Sequence, residues 1–275
     1  MLRVEVLRLM IRNGSTSAFD RRVTLAVGLD SATAFQKIAQ GCVAGIRTNH
    51  SSACAGNPKG LHQIRIAITR LRAAVSFFAP IAVDTDWLRL KKELAWLNAS
   101  LGAARDSDVM LEYAHRKRYK AWAQRMIGDN LDRRRIRGQR QIVRCLRSVR
   151  LQRLIEGLSG WVRYGAWREQ SDVAVRRKTS EPLDAYCRCE LNRWRREVIR
   201  KGRHLKTLDA SRRHRLRIKA KRFRYMLEAL AGIVAAGGRG KFRHVLRSAR
   251  CLQRTLGDLR DLKHFANLGT RLFPD

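Results

Sequence analysis

The sequence predicts an all-α protein built as two antiparallel four-helix bundles related by pseudo-twofold symmetry. Three observations lead there. The 275 residues contain four prolines, Pro58, Pro80, Pro182 and Pro274, and the stretches between them carry apolar residues at alternating spacings of 3 and 4, the helical period. Period-two strand patterns are almost absent. A set of residues in the first half recurs in order in the second, so each half reads as one copy of a single unit.

Residues 1–30 are weakly patterned and read as an arm, in which RRVTLAV (21–27) is a short strand or irregular. A helix is predicted from Ser31 to about Thr48, followed by a glycine-, proline- and serine-containing loop over 51–60. The next helix starts near Lys59 and carries Leu61, Ile64, Ile68, Leu71, Val75 and Phe78, until Pro80 ends it. A third carries Trp87, Leu90, Leu94, Leu97 and Leu101. Gly102 stands where a left-handed residue would close that helix, and Asp106 where an N-cap would open another. Residues 107–164 read as basic helices, with Leu151, Leu154, Leu158 and Trp161 in phase. Phase is lost over 165–182, which reads as a linker between a first half (31–164) and a second (183–275). Short connections make antiparallel bundles the economical packing.

The repeat is specific. His62 and Arg65 recur as His214 and Arg217, at an offset of 152 residues, and Arg70 and Arg72 then align with Arg222 and Arg224. Leu101, Gly102, Arg105 and Asp106 recur as Leu256, Gly257, Arg260 and Asp261, at an offset of 155. The same 155 carries the ladder from Trp87 to Leu101 onto Phe242, Val245, Ala249, Leu252 and Leu256. The three-residue difference fits a longer connection at AAGGRGK (235–241).

Lysine and arginine total 59 against 23 acids, a formal charge of +36. Repulsion on that scale points to a polyanionic partner, and phosphate polymers suit it because each neutralised phosphate releases condensed counterions. The excess is mostly arginine, whose planar fork pairs bidentately with phosphate oxygens. A hydrophobic content of 45% sets the chain apart from disordered basic tails. Six scattered cysteines read as reduced cytosolic thiols, with no disulfide framework. The N-terminal MLRVEVLRLMIRNG lacks the apolar core and cleavage site of a signal peptide. No apolar run reaches the ~18 residues of a membrane span. The expected location is the cytoplasm.

With about 100° per residue, His62, Arg65, Thr69 and Arg72 share one quadrant of their helix, beside the apolar face. His214, Arg217, Lys221 and Arg224 fill the same quadrant of the second-half helix, whose core face is Leu216, Ala220, Phe223, Leu227 and Leu230. Pairing of the halves would bring the two cation rows together and line a groove. A third row, Arg243, Arg247, Arg250 and Arg254, runs along the second-half ladder helix. Its first-half counterpart is thin: Lys92 matches Arg247, but Ala95 and Ala99 oppose Arg250 and Arg254. Neither His62 nor His214 has a histidine, cysteine or carboxylate at i+3 or i+4, which argues against a metal site. In the Leu-Gly-x-x-Arg-Asp pair, Arg105 and Arg260 either tie down a turn or reach the ligand, and both readings stand.

Charge alone also admits a nucleic-acid-binding protein, although no recognition helix-turn-helix or aromatic platform is evident. A metal-dependent phosphohydrolase would need clustered carboxylates or a P-loop. Here Asp106 with Asp108 and Asp258 with Asp261 do not match each other around the repeat. The reading is a binding module without catalytic residues or cofactor.

The His-x-x-Arg-x-Ala-x-x-Arg-x-Arg run of 62–72, the Leu-Gly-x-x-Arg-Asp pair and the His214–Glu228 segment resemble the CHAD family, the conserved histidine α-helical domain. The resemblance covers about residues 31–275. It implies paired four-helix bundles around a central basic groove that binds inorganic polyphosphate, and association with polyphosphate granules. The family's motif positions fall on His62, Arg65, Arg70, Arg72, Arg105, His214, Arg217, Lys221, Arg224, Tyr225 and Arg260. Arg222 joins them through the repeat. Thr69 departs from the pattern, standing where many members carry a basic residue. The triphosphate-tunnel domain of many relatives has no counterpart motif in residues 1–30.

Overall fold

The structure is a computed structural model of the chain and describes residues 25, 28–102, 130–169, 173–203, 205, 207–234 and 239–272. Within them the long helices are α1 (Ser31–Cys54), α2 (Pro58–Phe77), α4 (Thr85–Ser100), α5 (Asn130–Leu146), α6 (Val149–Tyr164), α8 (Leu183–Gly202), α9 (Ala210–Ala229) and α11 (Arg239–Leu272). Single turns α3 (Ala79–Ala82) and α10 (Ala231–Val234) follow α2 and α9, and α7 (Val173–Ser180) precedes α8. Extended pairing among the described residues is confined to one isolated bridge, Asp30 with Pro182. The chain is all-α.

Helix starts follow from short polar caps. Asp30, Asp84, Ser148 and Asp209 each accept from the backbone N–H three residues on, and Asn57 accepts from Lys59 N. Each cap satisfies a donor that the helix itself leaves open, worth about 1 kcal/mol. The predicted loop over 51–60 is much shorter than expected. α1 runs on through Cys54, Gly56 makes the reversal at φ +81°, and Pro58 opens α2 in the first turn, where its missing N–H costs nothing.

The two halves share one core. The predicted ladder residues Trp87, Leu90, Leu94, Leu97 and Leu101 are all buried, against Leu151, Leu154, Leu158 and Trp161 of α6. Phe77 and Phe78, at the end of α2, meet α8: Phe78 stacks on Tyr186 at 5.3 Å, and Phe77 packs edge-on to Trp194. Tyr186 donates its hydroxyl to the Phe77 carbonyl at 2.9 Å. The arm is anchored here too. Leu25 is buried, and Leu183 N donates to the Leu29 carbonyl.

Helix bounds repeat at the predicted offset. α2 with α3, and α9 with α10, have the same lengths and start 152 residues apart, at Pro58 and Ala210. α2 packs directly on α9. Among the described residues the second half shows three long helices, α8, α9 and α11, where four are anticipated.

Three sequence expectations need correction. Gly102 does not adopt a left-handed conformation; α4 closes at Leu101 in right-handed geometry, φ −82° and ψ −8°. Gly257 closes nothing, because α11 runs through it for 34 residues. The stretch 165–182 is more than a connector: it holds a 3-10 turn, Ala166–Arg168, and α7. Trp167 of that turn is buried and donates Nε1–H to the Trp161 carbonyl at 2.9 Å.

A side chain at Gly257 would meet nothing within 4 Å. Glycine within a helix costs roughly 0.8–1 kcal/mol relative to alanine. Gly257→Ala is therefore expected to raise the Tm by about 2–4 °C in a thermal melt. A fall would mean that the helix bends at this position.

Candidate functional site

α2 contributes four basic residues and α9 eight, and the two helices cross over the shared aromatic core. Their contact forms a seam at which cations from both halves meet. Arg70 of α2 lies over the ring of Tyr225 of α9, 5.5 Å from its centroid. Lys221 and Arg224 approach the same ring at 5.7 and 4.3 Å. Three cations on one electron-rich ring are partly offset by its quadrupole. Burial pushes the Tyr225 phenol up, while Arg224 and Arg70 pull it back down. It stays a neutral hydroxyl at physiological pH.

Arg222 of α9 lies within electrostatic reach of Arg72 of α2. Burial holds the Arg222 guanidinium below its ordinary range, and the like charge of Arg72 adds to this. Arginine nonetheless stays charged at any physiological pH. Arg222 donates to Ser76 Oγ at 3.4 Å, and among the described residues no carboxylate pairs with Arg72 or Arg222. An anion within reach of both would relieve the repulsion of two half-buried cations.

Arg224 of the seam is held from two sides. Its Nε donates to Gln253 Oε1 of α11 at 2.7 Å, and its Nη1 donates to both oxygens of Glu228, at 2.8 and 3.0 Å. Arg250 of α11 reaches the same carboxylate, at 3.0 and 3.2 Å. The third predicted row thus meets the seam through Arg250, while Arg247 and Arg254 are exposed further along α11.

His62 and His214 are each the fifth residue of their helix and are exposed. Arg65, half-buried, donates to the Leu101 carbonyl at the end of α4 and so braces that junction. Arg217 is half-buried on the same helix as the seam cations. Thr69, in the place of Lys221, bonds back to the Arg65 carbonyl at 2.8 Å and adds no charge. Lys219 is drawn off to Glu197 of α8 at 2.5 Å. Arg105 lies outside the described residues, and Arg260 is described only as backbone within α11.

Sequence reasoning assigned no role to Glu228, Gln253 or Ser76. One signal was available: Glu228 is the sole acid of α9 and stands four residues after Arg224, the spacing of a helical ion pair. Elsewhere, burial pushes the Cys42 and Cys187 thiols up to about 12, which makes them packing groups rather than nucleophiles. No group of three His, Cys, Asp or Glu side chains that would hold a metal occurs among the described residues. No described helix is long and apolar enough to cross a membrane.

Comparison with known proteins agrees with this architecture. The crystal structure of the CHAD domain from the plant Ricinus communis superposes with a TM-score of 0.72 at 23% identity, over 92% of this chain and 83% of that one. No curated protein matches the chain. A family model, the CHAD domain, matches residues 37–268 and takes in all of α2, α9 and the seam between them, so the chain belongs to the CHAD domain family.

Proposed function

We propose that this chain binds inorganic polyphosphate along the α2–α9 seam without turning it over, and that binding places it on polyphosphate granules in the cytoplasm. The observation that carries the reading is the convergence of Arg70 of α2 with Lys221 and Arg224 of α9 on the Tyr225 ring, cations from both halves brought together by two helices packed directly on each other. A flexible, thin chain with one charge per phosphate can lie between helices and reach half-buried guanidinium groups. A DNA duplex is a wide, stiff rod that meets the exposed arginines first. The seam therefore favours polyphosphate over the nucleic-acid alternative, which rests on net charge alone. A hydrolytic role has less support, because among the described residues the seam offers a single carboxylate, Glu228, and that one is already engaged by two arginines.

Competition tests this reading. Labelled long-chain polyphosphate, bound to the protein at about 0.1 M salt, is titrated with unlabelled polyphosphate or duplex DNA at equal phosphate concentration. Polyphosphate is expected to displace the label at least tenfold more effectively, with affinity falling steeply as salt rises. Equal or better displacement by DNA would transfer the function to nucleic acid. Phosphate release in the presence of magnesium would reinstate the phosphohydrolase.

A further inference from the structure

We infer that Glu228 is a built-in counter-anion of the seam, occupying the place of a ligand phosphate and setting how strong an anion must be to bind there. This rests on the seam being the polyphosphate site. The carboxylate accepts four hydrogen bonds from two guanidinium groups, two from Arg224 on its own helix and two from Arg250 on α11. That is the arrangement in which a phosphate oxyanion is held by paired arginines. The Arg224 and Glu228 side chains are each only 18% exposed, so the charges are weakly screened. Arg250, at 55% exposure, closes the clamp from the solvent side.

A purely positioning role would make Glu228 the group that aims Arg224 at the ligand. The geometry makes it dispensable for that purpose. Gln253 fixes the Arg224 Nε, and the Tyr225 ring supports the guanidinium at 4.3 Å. Removing the carboxylate leaves Arg224 oriented and without its counter-charge. The first half provides an internal comparison. Ser76 stands 152 residues before Glu228, at the matching place in α2, and takes a single bond from Arg222. One half of the seam is thus neutralised from within, and the other carries a neutral hydroxyl.

The consequence is selectivity for multivalent chains. A short phosphate must displace the carboxylate with few other contacts to compensate. A long chain holds neighbouring phosphates on Arg70, Arg72 and Arg222 while one of them exchanges for Glu228, at high effective concentration.

Two opposite substitutions test it, by titration of the full chain with tripolyphosphate and with long-chain polyphosphate at fixed salt. Glu228→Gln is expected to tighten tripolyphosphate binding roughly three- to tenfold, as for loss of one nearby screened charge, and long-chain binding by less. Ser76→Glu, which keeps native Glu228 and places a second carboxylate beside Arg222, is expected to weaken both. Weaker or unchanged tripolyphosphate binding by Glu228→Gln would overturn the inference and make Glu228 a positioning or purely structural group. If Glu228→Gln does not fold, Ser76→Glu decides: unchanged binding rejects the idea that a carboxylate in the seam competes with ligand. Failure of the wild-type chain to bind long-chain polyphosphate would instead reject the seam assignment itself, and this inference with it.

Discussion

Replacing Arg70, Arg72, Lys221 and Arg222 together by glutamine is expected to lower the affinity for long-chain polyphosphate about a thousandfold at 0.1 M salt. Each charge-assisted contact is worth roughly 1 kcal/mol net, and 1.4 kcal/mol is a factor of ten. The salt dependence should flatten as well. Four fewer neutralised phosphates reduce the slope of log K against log salt by about 3, taking ~0.7 per charge on a flexible strand. The four positions leave Arg224, Gln253 and Glu228 in place, so the clamp on α11 is undisturbed. They also leave a net charge of +32, since four of the +36 formal charges are removed. A chain that still binds polyphosphate as tightly as wild type would be using its surface charge generally, and the seam would lose its special role. Removing four exposed arginines elsewhere, such as Arg140, Arg144, Arg147 and Arg153, supplies the control for bulk charge and should cost far less.

The same variant bears on stability. Arg222 sits where burial and Arg72 both disfavour its charge, so the ligand-free fold carries an unfavourable electrostatic term at the seam. Bound anion removes it. Ligand at a hundred times its Kd stabilises a protein by about 2.7 kcal/mol through mass action. Part of that gain should be relief of this repulsion, and the Gln variant, having none to relieve, should show a smaller rise in Tm on adding polyphosphate.

Much of this arrangement was legible in the sequence, for a physical reason. A face that must be buried in a helical protein writes itself at 3 and 4 spacing, so Leu61, Ile64, Ile68 and Leu71 on α2 and Leu216, Ala220 and Phe223 on α9 are found buried as the period requires. The offset of 152 that matched histidines and arginines also matches helix bounds. Periodicity says which side of a helix is dry, but not what stands opposite it. The meeting of Arg222 with Arg72 and Ser76, 146 residues apart for the hydrogen bond, depends on how the halves cross. Joints were the least legible elements. Gly102 and Gly257 carry the composition of a helix end, yet neither takes the conformation that only glycine tolerates, and α11 continues through the second. The stretch 165–182 lacks phase because it is held by single anchors. Trp167 is buried through contacts with Trp161 and Phe35, which no local pattern announces.

Asp84 is the strongest case of such an anchor, and Asp84→Ala is expected to destabilise the protein by about 3 kcal/mol. One carboxylate here serves three donors. It caps α4 by accepting from Trp87 N at 2.7 Å, accepts Trp161 Nε1–H at 3.0 Å to each oxygen, and accepts Trp167 N at 3.3 Å. Loss of the cap costs about 1 kcal/mol. The indole N–H of buried Trp161 would then lack its acceptor, at roughly 1–3 kcal/mol. At 2–4 °C per kcal/mol for a chain of this size, the Tm should fall by about 6–12 °C. Asp84→Asn keeps one acceptor oxygen and should recover about half of the loss. The seam lies on α2 and α9, and Asp84 touches neither through these bonds, so polyphosphate affinity measured well below the melting transition should change less than twofold. A large loss of affinity in folded Asp84→Ala would mean that the α4–α6 layer sets the crossing of α2 on α9. The two halves would then be one mechanical unit, with the cation pairs of the seam held in place by a carboxylate on a different layer of the first half.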